Sequence, residues 1–235
     1  MSVALADLSW PQAERVRAGV LVVPVGATEQ HGPHLPLSTD TDIAVALAER
    51  LAHALGAGAV VAPALAYGSS GEHAGFAGTL SIGREAVEHM LVELGRSASE
   101  SFARVILVSA HGGNAEPVAR AVERLCAEGR EVIALSPGFG GDAHAGRTET
   151  SVMLALCPER VRLAAAEAGT TAPLADLWPA LRERGVRAVS ANGVLGDPTG
   201  ASAEEGRRLL ETAIAELAAA MRGAGERAGA AGAAR

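Results

Sequence analysis

Short apolar runs rich in β-branched residues recur along the chain and predict buried strands. Residues 20–25 and 104–109 are mostly Val, Ile and Leu, as expected for strands covered on both faces. Residues 59–65 and 131–135 form two further candidates. Pro63 weakens the first of these, because proline has no N–H to donate to a neighbouring strand.

Longer amphipathic stretches separate these runs and predict helices. Residues 41–55 place isoleucine or leucine at every fourth position, which gives a helix one apolar face. Asn114 is expected to act as the N-cap of a later helix. The remaining helices are predicted to cover 9–17, 84–102, 115–128 and 202–222. Residues 160–190 show no pattern that assigns an element.

The alternation of strands and helices predicts the fold class. Parallel strands joined by helices form right-handed crossovers, so we expect an α/β protein with three α/β/α layers and a mainly parallel central sheet. The chain has 235 residues and no linker-like segment, which predicts one domain over 1–223. The Ala/Gly-rich tail over 224–235 is expected to be frayed.

The stretch 26–40 gathers Glu29, His31, His34 and Asp40 directly after the first buried strand. Glu29 and His31 leave the same face of an extended segment, and a glycine and two prolines bend the chain so that Asp40 returns to them. Crowded carboxylates and imidazoles lose hydration energy unless a cation compensates them. The spacing therefore predicts a metal site.

Histidines and acids follow every predicted strand. The sequence has seven histidines, and we expect His53 and His89 to lie on helix surfaces. The other polar candidates lie in loops after strands, namely His31, His34, His73, His111 and His144 with Glu29, Asp40, Glu72 and Glu149. Active sites in such sheets lie beyond the carboxyl ends of the strands, so these side chains are predicted to share one cleft.

Several of these residues have alternative roles. His34 can steer a ligand through its ring N–H without binding the ion itself. Glu72 can stabilise a helix end or a loop, and Asp42 suits the first turn of a helix, where a negative charge is favoured. For each of the five loop histidines taken singly, the alternative is a purely structural role in hydrogen bonding.

Charge and composition exclude several function classes. The net charge is −7 without a cluster of basic residues, which argues against nucleic acid or an anionic membrane as partner. No apolar run reaches about 18 residues and no secretion signal is present, so a cytoplasmic location is expected. Cys126 and Cys157 match no metal or redox spacing. We therefore expect a small or peptidic substrate.

Three ordered motifs resemble the creatininase (creatinine amidohydrolase) family. They are Glu-Gln-His-Gly-Pro-His-Leu-Pro from Glu29, His-Gly-Gly-Asn from His111 and His-Ala-Gly-x-x-Glu-Thr-Ser from His144. The resemblance implies a three-layer α/β/α fold and a homo-oligomer of hexamer type. It also implies two divalent metal ions per subunit, which activate a water for amide hydrolysis. Oxygen and nitrogen ligands fit Fe, Zn or Mn equally.

The resemblance also implies roles for individual residues. Glu29, Asp40 and His111 would bind one metal, His31 and the bridging Asp40 would bind the second, and His144 would transfer protons. Creatinine-hydrolysing members carry a glutamate where this chain has Gly113. Glu149 is the expected replacement, with Asp42 or Glu72 as alternatives.

The expected substrate follows from the family branch that the chain resembles. The short chain is most similar to the mycofactocin-system peptidases, which release a C-terminal dipeptide from a modified precursor peptide. The loops 66–83 and 137–147 leave room for such a substrate, Arg147 is the candidate cation for its carboxylate, and Trp178 is a candidate to close over a smaller ring. His34, Glu72 and His73 complete the substrate-binding candidates. The alternatives are hydrolysis of creatinine or of a formamido-pyrimidine, and a non-catalytic metal-binding or assembly protein.

Overall fold

A computed structural model describes residues 3–233, with side chains described for 3–221. Five parallel strands form one sheet in the order β1-β3-β2-β4-β5. The strands are β1 Val3–Ala4, β2 Val20–Val25, β3 Ala59–Val61, β4 Arg104–Ser109 and β5 Val132–Leu135. The predicted parallel α/β class is confirmed.

Within residues 3–233, seven α-helices connect or follow the strands. They are α1 Trp10–Ala13, α2 Thr39–Leu55, α3 Arg84–Ala98, α4 Ala115–Ala127, α5 Arg147–Leu156, α6 Leu174–Arg184 and α7 Ala203–Ala233. Short 3-10 turns lie between them, and those at Gly71–His73 and Gly112–Asn114 border the candidate site.

Two apolar clusters lie on opposite faces of the sheet and produce the three layers. Alternate residues of a strand point to opposite faces, so Val22 packs in one cluster while Leu21 and Val23 pack in the other. The first cluster includes side chains of α2, α5 and α7, and the second includes side chains of α3 and α4. β2 and β4 pair over six residues in the middle of the sheet, so their carboxyl ends meet at one place.

Some predicted boundaries are wrong for identifiable reasons. β3 ends at Val61, and only an isolated bridge between Val25 and Leu65 continues the predicted strand, because Pro63 interrupts the ladder. Residues 160–190, which gave no assignment, contain α6 with Pro179 inside it.

Asn114 does not cap α4 with its side chain as predicted. Its amide oxygen accepts from the N–H of Ser69 at 2.9 Å, and its amide nitrogen donates to the carbonyl of Gly26 at 2.9 Å. It therefore ties together the loops that follow β2 and β3.

Two further predictions concern the ends and surroundings of the chain. The tail expected to be frayed, 224–235, lies outside the residues whose side chains are described, and it stays a prediction. None of the helices in the described part of the chain combines enough length with enough apolar character to cross a membrane.

Candidate metal centre

The loop after β2 folds back on itself and brings Asp40 to Glu29. The N–H of Glu29 donates to the carbonyl of Leu37 at 3.0 Å, which closes the loop. Asp40 is the second residue of α2, where the helix N-terminus favours a negative charge. Both carboxylates are almost completely buried.

Asp40 lies between two imidazoles and directs one oxygen to each. Its Oδ1 lies 3.2 Å from Nε2 of His31, and its Oδ2 lies 3.3 Å from Nδ1 of His111. Glu29 Oε2 lies 3.3 Å from Nε2 of His111, and Glu149 Oε2 lies 3.9 Å from Nε2 of His31. These five side chains form one cluster beyond the carboxyl ends of the strands.

Backbone carbonyls fix which nitrogen of each ring carries the proton when the ring is neutral. Nδ1 of His31 lies 3.2 Å from the carbonyl of Glu29, and Nε2 of His111 lies 2.9 Å from the carbonyl of Ser69. A carbonyl only accepts, so these nitrogens carry the protons of the neutral rings. In the neutral rings, the other nitrogens, which face Asp40, would offer their lone pairs to a cation, as in metal-binding histidines held by an outer hydrogen bond.

Several buried carboxylate oxygens lack hydrogen-bond partners, and this shows whether the site suits a metal ion. Both oxygens of Glu29 and Oδ2 of Asp40 are buried without a hydrogen-bond partner among the described residues. Burying such oxygens is costly unless a cation compensates them. Three sets have ligand atoms within 4.8 Å of one another: Glu29, Asp40 and His111; His31, Asp40 and Glu149; and Glu29, His31 and His144. The first two of these sets share Asp40. Their oxygen and nitrogen donors fit divalent ions.

The electrostatics of the cluster favour positive charge at its centre. Burial disfavours the charged form of His31, but the negative charges of Asp40 and Glu149 raise its pKa to about 10. Burial also opposes ionisation of Asp40, but His31 and His111 hold its pKa well below the usual range. Burial and the charge of Asp40 raise the pKa of Glu29 to about 8. Protons and a divalent cation therefore compete for the same atoms.

His144 lies beside this cluster with its ring between two other histidines. Its ring centroid is 4.3 Å from that of His31 and 4.4 Å from that of His73. Its Nε2 lies 2.8 Å from the carbonyl of Gln30, and its Nδ1 lies 3.8 Å from Glu29 Oε1. Burial, followed by the charges of His31 and His73, holds the pKa of His144 well below its usual range. The ring is therefore neutral near pH 7.

The acids proposed for the second metal occupy different environments. Glu149 lies in the first turn of α5, and its Oε2 also accepts from the N–H of Ala145 at 2.6 Å, which stabilises the helix start. Asp42 is engaged elsewhere, because its Oδ2 accepts from Ser38 at 2.8 Å and from Arg160 at 2.7 Å. Glu149 is thus the acid beside His31.

Glu72 fills the space beside Gly113. Its Oε1 lies 4.0 Å from Nε2 of His111, and a Cβ added to Gly113 would lie 2.4 Å from that oxygen. The same added Cβ would lie 2.2 Å from the carbonyl of Ser69. A side chain at 113 is therefore incompatible with this arrangement, and Glu72 borders the cluster in its place.

Of the remaining substrate-binding candidates, two are buried and two are exposed. His34 is buried with Nε2 2.8 Å from the hydroxyl of Thr150, and Nε2 of His73 lies 3.3 Å from Glu29 Oε1. Arg147 is exposed, and its Nε donates to Glu205 at 2.8 Å, so its charge is already paired. Trp178 lies on α6 and is 53% exposed.

A cavity of about 230 Å³ opens against the cluster. His111 and Glu149 form part of its wall, and the glycine-rich loop 136–143 contributes Phe139 and Asp142. A molecule in this cavity would touch residues of both ligand sets. The glycine-rich loop therefore lines the cavity beside the cluster.

Gln30 is a further buried residue of the site, and no pattern of chemistry-bearing residues in the sequence indicates it. Its amide nitrogen lies 2.8 Å from Nδ1 of His73 and 3.1 Å from Nε2 of His144. The only signal in the sequence is its place between Glu29 and His31 in the first motif.

The parallel three-layer α/β/α fold and the buried cluster of carboxylates and imidazoles together define an α/β protein with a candidate metal centre. The family model described as creatinine amidohydrolase matches residues 6–221, and the chain belongs to the creatininase family. The resemblance noted from the three motifs is confirmed.

Individual relatives agree with this assignment. The chain is 54% identical over 196 residues to the mycofactocin precursor peptide peptidase of Mycolicibacterium smegmatis, covering 81% of this chain and 79% of that protein. It is 32% identical to the creatinine amidohydrolase of Pseudomonas putida, covering 94% and 96%. A manganese form of creatininase superposes with a TM-score of 0.79 at 29% identity, covering 94% of this chain and 98% of the other.

Proposed function

We propose that this chain is a dinuclear metal-dependent amide hydrolase that releases the C-terminal dipeptide from a modified mycofactocin precursor peptide. The observation that carries the proposal is the pair of ligand sets that share Asp40, with buried carboxylate oxygens that have no hydrogen-bond partner among the described residues. A purely structural hydrogen-bond network would satisfy these oxygens.

In this proposal, Glu29, Asp40 and His111 hold one ion, and His31, Asp40 and Glu149 hold the other. Divalent ions held by these residues would supply a water activated as nucleophile near neutral pH and would polarise the scissile carbonyl. Fe, Zn and Mn all fit the donors, and the manganese form of creatininase supports a divalent ion.

His144 is the proposed proton-transfer residue. Its Nε2 proton is held by the carbonyl of Gln30, so Nδ1 is the nitrogen free to take a proton from the attacking water. The same nitrogen then returns the proton to the departing nitrogen of the amide. Neutral imidazole near pH 7 suits this role, because it starts as the acceptor.

The peptide substrate is supported by the relatives and by the access side of the site. Two peptidases of the mycofactocin system are 54% and 52% identical to this chain, whereas the creatinine amidohydrolase is 32% identical. Trp178 is exposed, which does not favour an enclosed pocket for a small ring. Creatinine is the second candidate, because a relative that covers nearly the whole chain is named for it.

An activity panel tests the proposal directly. Protein loaded with Fe, Mn or Zn would be incubated with a precursor-type peptide, with the same peptide amidated at its C-terminus, and with creatinine. We expect release of a dipeptide from the first substrate only, and loss of activity after chelation. Hydrolysis of creatinine alone would reject the peptidase and keep the metal hydrolase. Metal binding without hydrolysis of any amide would favour the non-catalytic alternative.

Three further parts of the proposal rest only on the sequence and on its resemblance to the family. They are a cytoplasmic location, a hexamer-type homo-oligomer and the absence of a nucleic-acid partner. Size-exclusion chromatography with light scattering measures the second of these.

A further inference from the structure

Gln30 lies between two proposed metal ligands but faces the histidines beside them. Neighbouring residues of an extended segment point to opposite sides, so Gln30 leaves the side opposite to Glu29 and His31. Its side chain is buried and makes its contacts with His73 and His144. The proposed mechanism gives this residue no role for its side chain.

Two backbone groups fix the orientation of the Gln30 amide. Its Oε1 accepts from the N–H of Gly32 at 2.9 Å, and its Nε2 donates to the carbonyl of Gly193 at 3.0 Å. A backbone N–H only donates and a carbonyl only accepts, so oxygen and nitrogen of the amide are not interchangeable here. Gly193 has φ of +82°, and a Cβ there would lie 1.9 Å from Gln30 Oε1.

The second hydrogen of the amide determines the tautomer of His73. It points to Nδ1 of His73 at 2.8 Å, so that nitrogen must accept. The proton of the neutral His73 ring is then on Nε2, which lies 3.3 Å from Glu29 Oε1. The Nε2 proton of His73 thus faces the carboxylate of Glu29, a proposed metal ligand, as a charge contact that does not count as a hydrogen bond.

The backbone of Gln30 determines the tautomer of His144 by a separate contact. Its carbonyl lies 2.8 Å from Nε2 of His144, so this nitrogen carries the proton. Both amide hydrogens of the side chain are already used by Gly193 and His73. The 3.1 Å distance between the amide nitrogen and Nε2 of His144 therefore adds no hydrogen bond.

We propose that Gln30 is a positioning residue that sets the protonated nitrogen of two histidines by two independent routes. Its side chain holds the His73 proton on Nε2, facing Glu29, and its carbonyl leaves Nδ1 of His144 free toward the metal centre. The consequence for catalysis rests on the proposed function, because it acts through Glu29 and His144. The tautomers themselves do not depend on that function.

Two substitutions separate the routes. Gln30→Glu places an acceptor where the amide donates, against the carbonyl of Gly193, and moves the His73 proton to Nδ1. Gln30→Met keeps the length of the side chain and removes its hydrogen bonds, so His73 becomes a mixture of tautomers. Thr28→Val is the matched control, because Thr28 lies in the same segment and its hydroxyl bonds to the carbonyl of Ala66 at 2.8 Å.

The measurement is nitrogen NMR of the histidine rings in the full chain, metal-free and loaded with zinc. In the native metal-free protein we expect His73 and His144 to carry their protons on Nε2. In Gln30→Glu the His73 proton moves to Nδ1 while His144 keeps its tautomer, which makes His144 an internal control. Thr28→Val leaves both unchanged.

Zinc affinity, measured by competition with a chelator, provides the second readout. Direct hydrogen-bond partners of metal ligands contribute about 10–100-fold to affinity, and Gln30 acts on Glu29 only through His73, so both Gln30 variants are expected to bind zinc more weakly by less than that factor. Thr28→Val is expected to keep the native value. An equal loss in Thr28→Val would mean that loop packing is responsible, and would overturn the proposal.

Two further outcomes would overturn it. One is a native His73 with its proton on Nδ1, and the other is a Gln30→Glu variant whose His73 tautomer is native. If neither variant folds, the native spectrum still decides the first of these. A native protein that binds no zinc would contradict the metal-hydrolase proposal instead, and the metal-free spectrum would still test the tautomers.

Discussion

The two ligand sets share Asp40 but are built from different parts of the fold. Glu29 and His111 of the first set follow β2 and β4, which pair over six residues at the centre of the sheet, and both are buried. The second set adds Glu149 from the first turn of α5, after the strand at the edge of the sheet. Its side chain is 19% exposed and borders the cavity.

We therefore call the first set, Glu29, Asp40 and His111, the fixed half of the site, and the second set, His31, Asp40 and Glu149, the adaptable half. Paired central strands position the first set, so a change there requires a change in the sheet. The second set takes His31 and Asp40 from the same central loop, but its third ligand, Glu149, depends on the start of one helix and on a glycine-rich loop, which vary more easily between related proteins. We therefore expect the first ion to be held more tightly than the second.

The largest expected effect comes from the residue that belongs to both sets. Asp40→Ala removes a ligand from each ion, so both ions should be lost and turnover should fall by more than the roughly 100-fold typical of outer contacts. Elemental analysis of the purified variant measures the ions per chain, and a peptide assay measures turnover.

Asp42→Ala is the control for that change. Asp42 lies on the same helix, but its carboxylate is bonded to Ser38 and Arg160, so metal content should stay native. Two ions per chain in Asp40→Ala would show that Asp40 does not bridge the sets.

Glu149→Gln changes a proposed ligand of the adaptable half and leaves the fixed half unchanged. The amide keeps an oxygen that can accept from the N–H of Ala145, so α5 should still begin correctly, but the negative charge at the second ion is lost. We expect one ion per chain at native affinity and a second that is weak or absent. Native binding of two ions would point to Glu72, whose carboxylate lies beside His111.

His144→Ala tests a residue that lies beside both sets and belongs to neither in this proposal. Turnover should fall by about 10²–10⁴-fold with both ions retained, as expected for the loss of one general acid/base. His89→Ala, an exposed helix residue, is the control and should keep native turnover. Loss of an ion in His144→Ala would make His144 a ligand.

The fixed half of the site was also the more predictable from sequence. β2 and β4 are apolar and β-branched over their whole length, and the acids and histidines after them stand close together in the chain. β1, with two residues, is too short to give a pattern, and α6 contains Pro179, which normally argues against a helix. Periodicity therefore identified four of the five described strands, including β5 at one edge of the sheet, and missed β1 and α6.

Contacts between distant segments were not predictable. Gln30 donates to the carbonyl of Gly193, which is 163 residues further along the chain, and no local pattern indicates such a partner. Asn114 precedes a helix and so suggests a cap, but its amide joins two loops instead. Local sequence thus indicated the candidate ligands. The contacts of Gln30 and Asn114, which position the side chains and loops around those ligands, depend on the folded arrangement.

The smallest expected effect concerns Arg147, the candidate cation for a substrate carboxylate at the adaptable half. Its guanidinium is paired with Glu205, so Arg147→Ala should raise KM only modestly, and only for peptides with a free C-terminus. Glu205→Ala is the matched variant, because it frees the same cation. If Arg147 binds the carboxylate, Glu205→Ala should lower KM while Arg147→Ala raises it, and an amidated peptide should respond to neither. Equal shifts of KM in both variants, for both peptides, would show that the Arg147–Glu205 ion pair only stabilises the packing of α5 against α7.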